Sequence, residues 1–452
     1  MFEQLRSIVR AIARSRLLPV LLAVWGIASI SFLYGFFSKA HNIFPSHQVE
    51  NAALTLRGLL GKATHAGDPI VYFPSKESRT VIVHEPRAIA PGLTLISGIG
   101  AKGALFAKLI DVSGRVVHAW DLDWFKLWPH ADYLPADVRP KSRPGTHIHG
   151  MVLEPNGDLV FNYEELGMMK VDVCGRPIWR LPRRTHHSIV RDDNGNYWAP
   201  ELVQSDKPLS TLPNYKPPLF LYSVLEVSPD GHIIREIPMI DLLIRNGYSG
   251  LLYTQSTSQF STAVSDDVLH MNDVDVFPRS MAEGAFKHGD IMVSLRNINT
   301  VVVFDPRTLI IKTAIIGRFV RQHDPDFEDG WNISVFDNNN ITSDSHYGSS
   351  RIASYSVKDG HVGTIFEGTQ NYPFYSIIMG KHQRLNNGGI LVAEAMKGHI
   401  FELSPDKHIV WEYFNQTGNK GMLGLMEDAQ RIPASFLSES KLEELTAKCQ
   451  AN

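Results

Sequence analysis

Histidine and asparagine side chains recur at one position of a repeated pattern, immediately before a run of apolar residues. The residues at this position are His149, His187, Asn272 and His323. Two further histidines, His186 and His270, lie close beside them. A single histidine in such a place is more often structural than catalytic, but four repeats that each supply a polar group are harder to explain by packing. Neutral imidazole is a competent nucleophile and base near pH 7, because its reference pKa is about 6.5.

Arg296, in the motif SLRN, adds a cation to this set. A buried arginine needs an anion or a carboxylate as its partner, and its planar guanidinium matches the geometry of an oxyanion. Asn272 can donate two hydrogens, and a histidine in a suitable tautomer adds one more. Together these groups would form a socket for a small tetrahedral anion.

The elements that position these residues are short β-rich units, which repeat between Gly92 and Asn415. Asn-Gly or Asp-Gly type turns join alternating apolar runs, which is the strongest short-range signal for a hairpin. Four strands per unit, repeated about every 40–60 residues, are typical of propeller blades. We therefore predict an all-β, six-bladed β-propeller over residues 92–415, with the first strand of each blade lining a central channel. A two-sheet sandwich is the alternative, but it does not account for the D-x-x-G turn that recurs between third and fourth strands.

The N-terminal segment predicts a membrane anchor. Four arginines within residues 1–16 precede an uncharged run of 21 residues, Leu17 to Phe37, and roughly 20 apolar residues cross a bilayer as a helix. Positive flanks stay in the cytoplasm. We therefore expect a cytoplasmic segment at 1–16, a transmembrane helix at 17–37 and a periplasmic or otherwise extracytoplasmic catalytic domain. A cleaved signal peptide is the alternative, since Ser38-Lys39-Ala40 follows the small-x-small pattern of a cleavage site.

Short helices are expected on both sides of the propeller. Residues 38–91 are predicted to form a stalk helix and a lead-in, with helical apolar spacing from His47 to Ala63. Residues 416–452 are predicted to form a helical tail that packs on the outside of the ring, with a capping box at Ser440 and Glu443.

Composition excludes several classes of function. The formal net charge of −3 gives no reason to expect a nucleic-acid partner. No H-E-x-x-H or similar spacing indicates a metal, so neither a metal nor a cofactor is expected. The chain has two cysteines, Cys174 and Cys449, too few for a disulfide framework. Whether they pair is left open.

Four motifs resemble the bacterial arylsulfate sulfotransferase family, which transfers sulfate between phenols without a nucleotide donor. They are THHSIV, DVLHMNDVDV, GDIMVSLRN and, the most specific, QHDPDFEDGWNISVFDNNN. The resemblance implies that His323 is the histidine that becomes sulfated. His187, with His186 as the alternative, corresponds to a second active-site histidine. The residues implied to hold the sulfuryl oxygens are His270, Asn272 and Arg296.

The resemblance implies a ping-pong reaction between an aryl sulfate donor and a phenolic or other hydroxyl acceptor. His323 would attack sulfur and expel a phenolate, which leaves an N-sulfo intermediate. His187 would act as acid and then as base. Asp324 is expected to be structural, because adjacent residues of a strand face opposite ways.

Two other functions are weighed against this one. A propeller hydrolase or lyase that acts on a glycan would form no covalent histidine adduct. A non-catalytic, membrane-anchored scaffold or receptor would not need the polar set at the channel mouth. A nucleotide-dependent sulfotransferase is disfavoured, since the chain shows no strand, glycine loop and helix that would cradle phosphates. The physiological donor and acceptor and the oligomeric state cannot be read from the sequence.

Overall fold

The structure is a computed structural model that describes residues 17–41, 72–256, 264–341, 350–370, 372–418 and 421–449. The chain divides into two compact units, Met1–Pro69 and Ile70–Asn452. The predicted cytoplasmic segment 1–16 and the helix predicted from His47 to Ala63 lie outside the described residues.

The first unit contributes one described helix, α1 (Leu17–His41), of 25 residues. It includes the whole of the segment 17–37 that was predicted to be helical. Among the residues that the structure describes, no helix combines the length and the apolar character needed to cross a membrane. The transmembrane part of the prediction is therefore not supported.

The second unit consists mostly of strands. In chain order they are β1 (Tyr72–Pro74), β2 (Val81–Val83), β3 (Leu93–Ile99), β4 (Leu105–Ile110), β5 (Val116–Asp121), β6 (Ile148–Leu153), β7 (Leu159–Tyr163), β8 (Gly167–Val171), β9 (Pro177–Leu181), β10 (Val190–Arg191), β11 (Tyr197–Ser205), β12 (Tyr215–Val227), β13 (Ile233–Pro238), β14 (Val264–Asp266), β15 (Met271–Val276), β16 (Ile291–Leu295), β17 (Thr300–Asp305), β18 (Ile310–Ile316), β19 (His323–Phe327), β20 (Asn332–Asp337), β21 (Arg351–Ser356), β22 (Val362–Glu367), β23 (Lys381–Arg384), β24 (Ile390–Glu394), β25 (His399–Leu403), β26 (Ile409–Phe414), β27 (Met422–Gly424) and β28 (Met426–Ile432). The helices are α2 (Trp124–Leu127), α3 (Met239–Arg245) and α4 (Glu439–Ala447), with 3₁₀ turns at Ala101–Gly103, Ser249–Tyr253, Arg296–Ile298 and Ala395–Lys397.

The strands form six antiparallel blades, numbered here from first to sixth. From the channel outward they are β28-β3-β4-β5, β6-β7-β8-β9, β10-β11-β12-β13, β15-β16-β17-β18, β19-β20-β21-β22 and β23-β24-β25-β26. Four short strands lie outside this plan. β14 runs parallel to β12, β2 adds a fifth strand to the sixth blade beside β26, and β1 pairs with β27. The predicted six-bladed β-propeller is confirmed.

The burial of each strand depends on its place in the blade and accounts for its sequence pattern. The second strands β7, β16 and β24 are buried along their whole length. Such strands are covered on both faces by the neighbouring blades, so they are mostly apolar and show no alternation. The fourth strand of a blade, such as β9, is largely exposed.

The recurring D-x-x-G turn has a simple local cause. Oδ1 of Asp172 accepts the backbone N–H groups of Cys174 and Arg176 at 2.9 and 2.8 Å. Gly175 follows with φ of 78°, in the left-handed region that favours glycine. Asp111 makes the equivalent bonds between β4 and β5. The aspartate and the glycine therefore fix the turn between the third and fourth strands.

The C-terminal segment corrects the prediction of a helical tail over residues 416–452. β28, in this segment, is the innermost strand of the first blade, where it pairs with β3 along Leu93–Gly98. The N-terminal part of this blade supplies three strands, so the ring closes when a strand from the other end of the chain satisfies the backbone groups of β3. The final helix α4 is as predicted in type, but its N-cap is Ser438, whose hydroxyl accepts the N–H of Lys441 at 3.2 Å.

A disulfide joins the end of the chain to the second blade. Cys174, in the turn between β8 and β9, is bonded to Cys449, with their Cα atoms 5.4 Å apart. Leu442 of α4 is buried in the same hydrophobic cluster as Val171 of β8. The two cysteines, whose pairing the sequence left open, therefore hold α4 against the ring.

Candidate functional site

Four imidazole rings surround His187 at the inner ends of the blades. The centroid of the His187 ring lies 4.5 Å from that of His149, 5.0 Å from His186, 5.5 Å from His270 and 6.3 Å from His323. The rings of His187 and His323 are nearly parallel, with an interplanar angle of 28°. The ring of His186 instead faces Tyr222, with centroids 5.5 Å apart. Of the adjacent pair, His187 is thus the residue stacked on His323.

Left-handed backbone conformations recur where the inner segments meet the channel. His187, His270 and Asp324 have φ of 53°, 45° and 50°. Such conformations cost non-glycine residues about 1–3 kcal/mol each and persist where the surroundings enforce them. In the second blade the residue is Gly150, and a Cβ there would collide with the backbone oxygen of His187. The strain accompanies the placement of side chains into the channel.

His323 is held in one tautomer by Asn338. Nδ1 of His323 lies 2.6 Å from Oδ1 of Asn338. The amide nitrogen of Asn338 donates to the backbone oxygens of Ser376 and Met379 at 3.0 and 2.8 Å, which fixes the orientation of the side chain. Since an amide oxygen can only accept, the proton must be on Nδ1. The lone pair is therefore on Nε2, which accepts a long bond of 3.2 Å from the N–H of Met379.

The surroundings of His323 keep its ring neutral. The side chain is buried, with 3% of its surface exposed. Burial lowers the pKa of His323 well below its usual value, and the nearby guanidinium of Arg296 acts in the same direction. A neutral ring with a lone pair on Nε2 is the nucleophilic form of histidine.

His187 is clamped by a carboxylate. Glu164 accepts the backbone N–H of His187 at 2.7 Å, and its other oxygen lies 3.0 Å from Nδ1 of the same residue. Burial lowers the pKa of His187 well below its usual value, against the opposing effect of the Glu164 carboxylate. Nδ1 of His187 also lies 2.8 Å from Nδ1 of His186. With its proton on Nδ1, His187 has Nε2 as its basic nitrogen, the arrangement found in carboxylate–histidine pairs that act as bases.

Arg296 and His270 provide the cationic and hydrogen-bonding side of the site. No carboxylate within the described part of the chain lies within 4 Å of the guanidinium of Arg296, whose Nε bonds to the side-chain oxygen of Asn297 at 3.3 Å. Asp267 pairs with Nδ1 of His270 and also accepts the hydroxyl of Tyr222 at 2.8 Å. A half-buried arginine without an acidic partner is suited to bind an anion.

Asn272 lies in the site region but differs from its predicted role. Its side chain is buried, and its amide nitrogen donates to the backbone oxygen of Gln322 at 2.8 Å. One of its two hydrogens is therefore used in joining the fourth and fifth blades. Asn272 can offer at most one hydrogen to a ligand, instead of the two that the sequence suggested.

Asp324 faces away from the ring of His323, as expected for the next residue of a strand. Its carboxylate accepts Nζ of Lys381 at 2.7 Å and pairs with Nδ1 of His382 at 2.9 Å. Asp324 thus links the fifth and sixth blades.

Two important residues were not found by the sequence analysis, Glu164 and Asn338. Both follow the second strand of a blade, β7 and β20 respectively, and Arg296 follows β16 in the same way. The signal was therefore present in the sequence, as a polar residue directly after each buried run. It was recognised for Arg296 alone.

A comparison with known protein families shows which family this chain belongs to. A model of the family described as Arylsulfotransferase (ASST) matches residues 150–416, more than half of the chain. The chain belongs to the arylsulfotransferase family. Membership supports sulfotransferase activity in general, with a small-molecule donor and acceptor. The match begins in β6 and ends just after β26, so it includes the site residues from Glu164 to Asn338, whereas His149 immediately precedes it.

No curated protein matches the sequence of this arylsulfotransferase. Solved structures share a distant likeness. A protein of unknown function from Bacteroides caccae is 12% identical, with 74% of this chain and 98% of that one covered and a TM-score of 0.44. A streptogramin B lyase is 12% identical, with 78% and 90% covered and a TM-score of 0.38. TolB from Acinetobacter baumannii is 10% identical, with 76% and 67% covered and a TM-score of 0.42.

Proposed function

We propose that this arylsulfotransferase moves a sulfuryl group from an aryl sulfate to a phenolic or other hydroxyl acceptor, through a sulfated His323. The observation that carries the proposal is the hydrogen bond from Nδ1 of His323 to Asn338, which leaves the lone pair on Nε2. A buried, neutral imidazole whose tautomer is fixed is prepared for nucleophilic attack. A scaffold would have no use for this arrangement.

In the first half-reaction, Nε2 of His323 attacks the sulfur of the donor. The N–S bond forms while the bond between sulfur and the aryl oxygen breaks, and its electron pair leaves with the phenolate. The ring keeps its proton on Nδ1, bonded to Asn338, so the sulfated ring carries a positive charge beside the negative sulfo group. The N–H of Met379, released from Nε2, becomes available to a sulfuryl oxygen.

In the second half-reaction, the acceptor hydroxyl attacks sulfur and gives its proton to Nε2 of His187. The N–S bond breaks, and its electrons return to Nε2 of His323. The centroids of the two rings lie 6.3 Å apart, so an acceptor hydroxyl that is hydrogen-bonded to His187 is placed next to a sulfuryl group on His323. The lowered pKa of His187 favours its action as a base over its action as an acid.

Arg296 and His270 would hold the sulfuryl oxygens as charge moves across the sulfur. Sulfuryl transfer resembles phosphoryl transfer, in which position and charge stabilisation supply most of the catalysis. Donors that are already oriented in a site shielded from water contribute most when charge develops in the transition state. Asn272 has one hydrogen left for the same purpose.

The experiment that tests the proposal is intact mass measurement after incubation with 4-nitrophenyl sulfate in the absence of an acceptor. We expect an adduct with the mass of one SO₃ group, which disappears when phenol is added. His323→Gln should form no adduct. The matched control is His399→Gln, which removes a buried imidazole of the sixth blade and should leave the adduct intact. An adduct of equal yield in His323→Gln would refute the role of His323, and turnover without any adduct would favour a hydrolase.

We further propose that the propeller functions outside the cytoplasm. The support is the disulfide between Cys174 and Cys449, since disulfides persist in oxidising compartments and are rare in the cytosol. The test is thiol alkylation followed by mass measurement of the protein isolated from its native cells. Two alkylated cysteines without prior reduction would refute this localisation.

A further inference from the structure

A second cluster of ligating side chains lies beside the site, at the junction of the first and second blades. It consists of His147 and His149, at the start of β6, and Glu427, in β28. Nδ1 of His147 is 3.2 Å from Oε2 of Glu427, and Nδ1 of His149 is 3.9 Å from the same oxygen. The ligand atoms of these three residues all lie within 4.8 Å of one another. They therefore face a common point.

The polar atoms of this cluster lack hydrogen bonds. Within the part of the chain that the structure describes, neither carboxylate oxygen of Glu427 has a hydrogen-bond partner, and the same holds for Nδ1 of His147 and of His149. Glu427 is 0% exposed and His149 is 2% exposed. A buried carboxylate without a hydrogen bond is costly. The two imidazoles lie close to Glu427, but neither Nδ1 forms a hydrogen bond with it.

The sixth blade provides a direct comparison within the same protein. There His399 places Nδ1 2.8 Å from Glu394 and Nε2 3.0 Å from Glu412, and both contacts are hydrogen bonds. Glu412 also accepts the hydroxyl of Tyr372 at 3.1 Å. This is how buried histidines and glutamates arrange themselves when they pair through protons. The cluster around Glu427 has the same residue types in a different geometry.

We propose that His147, His149 and Glu427 bind a divalent transition-metal ion of the zinc type. Two imidazoles and one carboxylate are a known ligand set for zinc, with metal–ligand distances of about 2.0–2.2 Å. In a tetrahedral site those distances place ligand atoms about 3.3–3.5 Å apart. The measured separations of 3.2 and 3.9 Å lie on either side of this value. Oε2 of Glu164, which also accepts the backbone N–H of His187, lies 3.3 Å from Nδ1 of His149.

The ion would connect the C-terminal strand of the first blade to the first strand of the second blade. β28 is the C-terminal strand that completes the first blade, and β6 opens the second. A metal shared by Glu427 and the two histidines would therefore hold the closing strand to the next blade. It would also fix the ring of His149 against His187, 4.5 Å away. The inference does not rest on the proposed sulfuryl transfer.

The test uses the whole purified protein, zinc ions as the probe, and two variants with one control. After treatment with a chelator and dialysis, zinc affinity is measured by competition with a chromophoric chelator, and bound zinc is counted by elemental analysis. We expect one zinc per chain in the parent. Loss of an outer-shell partner weakens metal binding by about 10–100-fold, so Glu427→Gln, which removes a ligand, should weaken it by at least about 100-fold. His147→Gln should have a similar effect.

The control is His399→Gln, which alters the hydrogen-bonded cluster of the sixth blade and should bind zinc like the parent. Circular dichroism and thermal unfolding establish that each variant is folded, and His147→Gln serves if Glu427→Gln is not. Zinc binding in the parent no tighter than in both ligand variants would overturn the proposal. So would a parent that binds no zinc while Glu427→Gln merely alters thermal stability, since that is the behaviour of a proton-sharing pair.

Discussion

The role given to Asn338 can be tested separately from the role of His323. Asn338→Ala removes the side-chain acceptor of Nδ1–H and also removes one donor from each of the backbone oxygens of Ser376 and Met379. A second acceptor remains, because the backbone oxygen of Arg321 lies 3.2 Å from the same nitrogen. The variant should therefore weaken the preference for the reactive tautomer without abolishing it.

The size of the effect follows from the loss of one of the two acceptors of Nδ1–H. A net hydrogen bond contributes about 0.5–1.5 kcal/mol, which corresponds to roughly 2–10-fold in the population of the reactive tautomer. Loosening of the segment that carries Met379 adds to this loss. We expect the rate of His323 sulfation by 4-nitrophenyl sulfate, followed by release of nitrophenolate, to fall by about 10-fold.

Asn338→Asp separates control of the tautomer from a general structural effect. A carboxylate still accepts Nδ1–H, so the lone pair stays on Nε2, but its negative charge raises the pKa of His323. In the parent that pKa lies well below its usual value, so acidification to pH 6 leaves the ring neutral. In Asn338→Asp the rate should instead fall as the pH drops through the raised pKa, while activity at pH 8 exceeds that of Asn338→Ala.

The matched control for both variants is Asn415→Ala. Asn415 is also buried, and its amide donates to the backbone oxygens of Ile99, Gly424 and Leu425 at 3.0–3.2 Å. Its loss should destabilise the fold to a similar extent without changing the sulfation rate or its pH profile. Equal rates for Asn338→Ala and the parent would refute the reasoning. A sulfation rate in Asn338→Asp that depends on pH in the same way as in the parent would refute it as well.

Three further results are expected. His187→Gln should retain sulfation by 4-nitrophenyl sulfate, because the leaving group of this donor needs no acid. Transfer to phenol should slow by about 10²–10⁴-fold, the usual contribution of a general base. Equal slowing of both half-reactions in rapid-mixing experiments would contradict this. Arg296→Lys keeps the charge but loses the planar fork, so we expect a fall in kcat of about 10²–10³-fold for removal of one oriented donor. An unchanged kcat would show that Arg296 does not touch the sulfuryl group. Reduction of the Cys174–Cys449 bond, or Cys449→Ser, should lower the melting temperature by about 3–6 °C, since a disulfide closing a long loop contributes about 2–4 kcal/mol, with calorimetry as the check.

The propeller could be predicted because each blade repeats local signals. Asp172 and Gly175 fix their turn by contacts within five residues, and β7 or β16 is recognisable as a short, mostly apolar run. These signals need no knowledge of the rest of the chain. The closing strand β28 could not be recognised in the same way. Its sequence, MEDAQRI, contains an acidic pair and no strong alternation, and it is a strand because β3 lacks an inner neighbour.

The candidate site was predictable in its histidines and much less so in their partners. His187 and His323 open apolar runs, which marks them in the sequence. Glu164 and Asn338, which set the protonation of these rings, come from the ends of second strands. The contact Asn338–His323 joins residues 15 positions apart within the fifth blade. The contact Glu164–His187 joins residues 23 positions apart, from the end of β7 in the second blade to the segment before β10 in the third. Spacing along the chain does not reveal such pairs.

The different neighbours of the two buried rings explain why one would be the nucleophile and the other the base. Burial lowers the pKa of both His323 and His187. For His323 the cation Arg296 acts in the same direction as burial, whereas for His187 the Glu164 carboxylate opposes it. A proton released in the site is therefore better accommodated on His187 than on His323, whose Nε2 stays available for sulfur. Glu164→Gln removes the carboxylate that favours a proton on His187. The variant should make His187 a poorer base in the second half-reaction and leave sulfation of His323 in place. Measurement of acceptor-dependent release of the adduct would show this.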